Sequence, residues 1–214
     1  MPIDRMMDEY KTVCKTARAE FTEKKSVFIG TVSPCETEEE ARRFFGEVRK
    51  EFPDANHHVT AFINREGNIQ RFDDDGEPKG TGGIPMMEVL KKESLSGVAA
   101  VVTRYFGGIL LGAGGLARAY ARGVREALAA SGIATFVPFD VLEFSADYSF
   151  VSKIEYELSA RKIAVRGKEF GEKVRFSVLC AADQKEALDA FLLDTSGGKI
   201  RTEKTGEEFA EKQN

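Results

Sequence analysis

The chain has 214 residues, of which 42% are hydrophobic and 31% charged, with a formal net charge of −4. That length suits two modest domains with cores of their own, and the mix excludes wholesale disorder, collagen-like sequence and fibres. No apolar run approaches the roughly 18 residues that cross a membrane, and MPIDRMMDEY lacks the basic-then-apolar order of a signal peptide. The expectation is a cytoplasmic protein without a membrane partner. Neither side of Val137 is globally basic, so contact with nucleic acid needs a local patch. Cys14, Cys35 and Cys180 are odd in number and outside any CxxC pairing, which predicts three half-buried thiols rather than disulfides or a zinc site.

In chain order, Lys11 to Pro34 reads as two long strands about a charged turn at Glu23-Lys24-Lys25. Thr37 with Glu40 forms a capping box, and Ala41, Phe44, Phe45, Val48 and Phe52 follow at helical spacing until Pro53. His57 to Asn64 alternates as a strand and turns back through Ile69 to Phe72. DDDGEPKGTGGI is a loop, Pro85 opens a short helix, Val98 to Tyr105 is a buried strand, and a helix from about Gly115 to Ser131 ends at Gly132. A composition shift at Phe136-Val137-Pro138 marks a domain boundary. Beyond it come a strand at Leu142 to Tyr148, a helix bearing Phe150, Ile154 and Leu158, and a hairpin about Gly171. A helix capped by Asp183 that buries Ala187, Leu188 and Phe191 then leads to a strand at Lys199 to Thr202. The expected fold class is therefore α+β in two domains: β-β-α-β-β-α-β-α over 1–137 and a ferredoxin-like βαββαβ over 138–204, with a polar, fraying tail at 205–214.

The most informative stretch is TRYFGGILLGAGGLARAYARG. A buried strand delivers Arg104 to its end, and Gly107, Gly108, Gly112, Gly114 and Gly115 surround a helix start. Glycines let a ligand approach the main chain, and the first helical turn offers unpaired N–H groups and a partial positive charge, so an anion is favoured there. Arg118, Arg122 and Arg125 share one helical face and extend that field. The competing reading pairs the arginines with Asp73-Asp74-Asp75, turning the site into internal structure. Gly112-Ala113-Gly114-Gly115-Leu116-Ala117 satisfies G-x-G-x-x-A, but FGGILL separates it from the strand and no repeated βα units follow, so a dinucleotide site is rejected. No P-loop is present.

Asp73, Asp74, Asp75 and Glu77 could gather about a hard divalent cation, although they do not alternate as calcium ligands do. His57 and His58 begin a strand and point to opposite faces, so one of them at most joins a site. No G-x-S-x-G nucleophile exists.

RFDDDGEPKGTGGIPMMEVL followed by VAAVVTRYFGGILLGAGGLARAYARGV resembles the signature of the Impact family in its bacterial, YigZ-type form. The likeness runs from about Lys24 to Ala130, and the second domain looks like the smaller C-terminal module of bacterial members. In this resemblance Asp74, Asp75, Gly76, Glu77, Pro78, Gly80 and Thr81 form the signature loop, and His57 and His58 the strand before it. It implies domains similar to IV and V of elongation factor G and a link to translation. The resulting expectation is a non-enzymatic regulator that binds RNA or the ribosome through Arg104, Arg118, Arg122 and the glycine turn, with no cofactor and no metal. A metal-assisted phosphoester hydrolase using Asp74, Asp75 and Glu77 with His57 or His58, and a protein-binding adaptor, stay open as alternatives. The RNA or protein partner and the oligomeric state are not readable from the sequence.

Overall fold

A computed structural model describes residues 9–212, and the chain divides into two compact units between Phe136 and Val137. Both mix helices and strands, as the α+β reading expected. The first contains β1 (Tyr10–Val13), β2 (Ala17–Glu23), β3 (Ser26–Pro34), α1 (Glu38–Glu51), β4 (His57–Ile63), β5 (Gln70–Asp73), α2 (Gly83–Lys92), β6 (Val98–Tyr105) and α3 (Ala113–Ser131). No helix among the described residues is long and apolar enough to cross a membrane.

The segment read as two strands is three, because the chain bends at residues 14–16. The bend is stitched to the end of α3: Cys14 N–H donates to Gly132 O at 3.1 Å, and the Ser131 hydroxyl donates to Lys15 O at 2.6 Å. β1 consequently pairs with Ile133 to Phe136 rather than with β3. The cysteines differ from expectation too, Cys14 being exposed and Cys35 and Cys180 buried.

β2, β3, β6, β4 and β5 lie in that order in an antiparallel sheet. β6 is covered on both faces, which explains its unbroken apolar run. Val98, Ala100 and Val102 face a core shared with Met86 and Leu90 of α2 and Tyr120 and Val124 of α3, while Ala99 and Val101 face Ala41, Phe44 and Val48 of α1. The capping box at α1 is present in both directions. α2 starts at Gly83, two residues before the expected Pro85, and proline is tolerated there because a first-turn N–H has no intrahelical partner.

The second unit continues β7 (Ile133–Ala146) into α4 (Val151–Ala160), β8 (Ala164–Phe170), β9 (Val174–Cys180), α5 (Lys185–Ser196) and β10 (Glu203–Glu211). The order β8-β9-β7-β10 is that of a βαββαβ sheet. Leu142, Phe144, Ile154, Leu158, Phe176, Leu188 and Leu192 fill its core. α5 begins at Lys185 rather than at Asp183, and Ala187 is exposed where Leu192 is buried. The last strand is not at Lys199 to Thr202. There the Ser196 hydroxyl oxygen accepts the N–H groups of Lys199 and Ile200 at 3.0 and 2.9 Å and holds a turn. Most of the supposed polar tail is β10, anchored by Lys204 to Asp140 at 2.6 Å. Residues 213–214 of that tail, and 1–8 of the first domain, lie outside the described residues.

The position of α3 rests on one close approach. A Cβ added to Gly30 of β3 would lie 2.1 Å from Gly123 O of α3, and one added to Gly123 would meet Val102 at 3.1 Å. Gly30→Ala should therefore destabilise the chain by about 1–3 kcal/mol, the usual cost of overpacking, read as a lower urea midpoint. A midpoint equal to that of the unaltered chain would show that the helix is free to shift.

Candidate nucleic-acid interface

The loop from Asp73 to Gly83 is internally wired. Asp74 accepts N–H bonds from Gly80 at 2.6 Å, Gly83 at 2.8 Å and Gly82 at 3.0 Å, and so caps the start of α2 from a distance. Burial, the largest single influence on its carboxyl, raises the pKa, but the three N–H groups together bring it below the ordinary 3.8. Asp75, at a φ of 45°, accepts the His58 N–H at 2.6 Å and pairs with Arg49 at 3.0 Å. Its carbonyl accepts the His57 Nδ1–H at 2.8 Å. Gly76 turns the chain at a φ of 84°, and the Thr81 hydroxyl and N–H both donate to Pro78 O, at 2.6 and 3.0 Å.

Glu77 is swung inward. Its Oε1 accepts from Arg104 Nη1 at 2.5 Å and from the Tyr120 hydroxyl at 2.6 Å. The Arg104 guanidinium lies 5.3 Å from the Phe28 ring centre and 5.4 Å from that of Phe106. Both members of the pair are buried, with 5% and 4% of the Arg104 and Glu77 side chains exposed. Burial first, and then the bond to Glu77, push the Tyr120 hydroxyl pKa far up, so it remains a donor.

Two expectations are corrected by this wiring. The carboxylates of Asp74, Asp75 and Glu77 point to separate partners rather than to a common centre, and among the described residues no group of three or more His, Cys, Asp or Glu could hold a metal ion. Arg104 is spent on Glu77 inside the protein and does not join Arg118 and Arg122 on a surface. The histidines do diverge: His58 is buried with Nδ1 3.1 Å from the Thr103 hydroxyl, its pKa lowered first by burial and then by Arg49, while His57 is on the Arg104 side of the sheet.

The glycine turn brings other cations together. A Cβ on Gly107 would fall 2.0 Å from the Lys25 carbonyl carbon, so the β2–β3 turn lies directly against it. That turn holds Lys24 and Lys25 at φ of 45° and 64°, a left-handed pair that hairpin turns ordinarily give to Asn-Gly. Gly108 and Gly112 also have positive φ, and Gly112 starts α3 with no side-chain cap and no acid in the first turn. Gly114 is exposed beside Arg118, and Gly115 packs on Leu111. Lys24, Arg118, Arg122 and Arg125 line one groove of about 300 Å³ with Phe21 and Glu23. Arg122 stacks 4.0 Å from the Phe21 ring centre and pairs with Glu126 at 2.6 Å. Lys24, Arg118 and Arg125 form no ion pair among the described residues. Lys24 and Phe21 are the participants that the sequence did not assign to the site; the charged turn signalled Lys24, but its packing on Gly107 spans the domain.

A family model described as the Impact N-terminal domain matches residues 24–128, and one described as a domain of unknown function (DUF1949) matches 144–199. The chain is 39% identical to the IMPACT family member YvyE of Bacillus subtilis, over 91% of this chain and 90% of that one. It is 34% identical to the IMPACT family member YigZ of Escherichia coli, over 83% and 89% respectively. A crystal structure of a hypothetical protein, 31% identical, aligns over 94% of this chain and 99% of its own with a TM-score of 0.61.

Removing one partner of a buried ion pair strands the other, so Glu77→Ala should cost about 3–5 kcal/mol in denaturant unfolding, and Tyr120→Phe about 1–3 kcal/mol. An Ala variant as stable as the unaltered chain would mean that Arg104 finds another acceptor. Asp74 has a folded-state pKa below its unfolded value, so its contribution is full above that value and lost as the pH falls through and below 3.8. Asp74→Asn should therefore be less stable than the unaltered chain at pH 7, with the gap closing in acid. A gap independent of pH would remove the carboxylate from the account.

Proposed function

The chain belongs to the IMPACT family, and on that premise we propose that its first unit is a non-enzymatic, translation-linked module that grips the phosphate backbone of structured RNA, on or off the ribosome. The observation that carries this reading is the groove in which Lys24, Arg118, Arg122 and Arg125 converge. Three of the four cations have no carboxylate partner among the described residues, so their charge is directed outward. The Arg122 guanidinium lies over the Phe21 ring, which restricts a long side chain before a ligand arrives. Phosphate contacts of this kind position a partner without reading its sequence. Such a role fits the likeness of the family's two domains to domains IV and V of elongation factor G, and it operates by binding, with no reacting group required.

Arg104 contributes from the interior, by holding the loop and the β6 end on which the glycine turn depends. Changing the exposed arginines should therefore affect binding alone, whereas changing Arg104 should affect folding.

Arg118→Glu with Arg125→Glu should weaken association with purified ribosomes and a structured ribosomal RNA fragment. It should also flatten the dependence of log affinity on log salt by about one for each phosphate no longer neutralised, with an unchanged unfolding midpoint. Unaltered affinity and an unaltered salt slope would assign the groove to something other than nucleic acid.

A further inference from the structure

A second cavity, of about 370 Å³, opens beside the groove, and its lining is of another kind. Phe106, Leu110, Leu111 and Leu116 make it mainly apolar. Arg104, the one Lys or Arg in its wall, already donates to Glu77 at 2.5 Å and to the Ser26 hydroxyl at 3.4 Å. A site with no cation to spare takes an uncharged group more readily than an anion.

Two adjacent residues of the lining keep hydrogen-bonding capacity. Asn56 accepts the Phe106 N–H through Oδ1 at 2.7 Å, which leaves its Nδ2 as a donor. His57 donates Nδ1–H to Asp75 O at 2.8 Å, so the neutral ring presents Nε2 as an acceptor, with the Glu77 carboxylate 3.8 Å away. Phe106, Ile109 and Leu110 are 45%, 40% and 81% exposed within one short turn, a concentration of open apolar surface that marks a binding site. Leu111 lines both the cavity and the cationic groove, so the two meet at that side chain.

We propose that the cavity receives an unpaired nucleobase of an RNA whose phosphates lie in the groove. The base stacks on Phe106 beside Leu110, with an amino group donating to His57 Nε2 and a ring nitrogen accepting from Asn56 Nδ2. A nucleobase is uncharged, has a flat face for an aromatic ring and carries donor and acceptor on one edge, while its phosphate calls for the neighbouring cations. The proposal rests on the RNA reading of the groove and narrows it, from structured RNA at large to RNA with a base outside the helix.

The test uses the full chain and three labelled RNA hairpins of one sequence: fully paired, with one bulged adenosine, and with an abasic residue in place of that adenosine. The adenosine bulge should bind about tenfold more tightly than the abasic bulge, which presents the same phosphates. Phe106→Leu, which keeps an apolar side chain, should erase that difference without moving the unfolding midpoint. Arg118→Glu with Arg125→Glu should weaken binding of all three hairpins. Equal binding of the adenosine and abasic bulges overturns the proposal while the RNA reading stands, and leaves the apolar turn to a protein partner. A preference for the adenosine bulge that survives in Phe106→Leu puts the base elsewhere and also overturns it. Absence of salt-dependent binding to any hairpin overturns the RNA reading and the proposal together.

Discussion

The buried pair between Glu77 and Arg104 is the constraint on which the rest of the first unit depends. It joins three parts of the chain that share no local sequence: the loop after β5, the end of β6, and Tyr120 in the middle of α3. Taking two charges out of water is expensive, and an apolar replacement of the same volume is often no less stable. What the pair supplies is a single arrangement. Glu77 can be satisfied only where Arg104 and Tyr120 meet, so the loop has one seat, and the seat fixes how the glycine turn leaves the sheet. Phe28 and Phe106 enclose the guanidinium, and Asp74 ties the same loop to the start of α2.

This interior neutralisation sets the character of the exterior. Asp74, Asp75 and Glu77 make the loop look like an acidic surface in the sequence, yet each is spent on N–H groups or on an arginine. Arg49 and Arg104 offset the charges of Asp75 and Glu77, which leaves Asp74, held by neutral N–H groups, as the one of the three without a counter-ion among the described residues. A chain with a net charge of −4 can in this way keep a basic groove, because attraction of a polyanion depends on the local field at short range more than on the sum over the molecule.

What could be read from the sequence was what is local or periodic. The capping box at Thr37 and Glu40 spans three residues, and the unbroken apolar run of β6 announces a strand covered on both faces. Glu77 was visible as a carboxylate in a glycine loop, but its partners lie 27 and 43 residues away, and nothing nearby distinguishes a ligand for a metal from a ligand for an arginine. Arg104 was misplaced for the same reason: a cation at the end of an apolar strand looks exposed until its counter-ion is known. β10 leaves no pattern in the sequence because its residues are largely polar and at most half-covered, so the backbone ladder and the Lys204 ion pair hold a strand that lacks apolar alternation. The bend at Cys14 is likewise made by the far end of α3.

The turn at Lys24 and Lys25 departs most openly from local preference. A left-handed conformation at a residue with a Cβ costs of order 1–3 kcal/mol, and Asn-Gly would relieve it. The turn is nevertheless pressed against Gly107 so closely that no other residue fits there, which holds the lysines in place beside α3. Had the turn been Asn-Gly, the hairpin would be easier to form and the groove would lose Lys24. A violation of turn chemistry that coincides with a cluster of cations unpaired among the described residues is the pattern expected where a surface is shaped for a ligand rather than for stability. The glycine that permits it belongs to the stretch that also starts α3. One short segment thus both seats the lysine turn and begins the helix whose arginines line the groove.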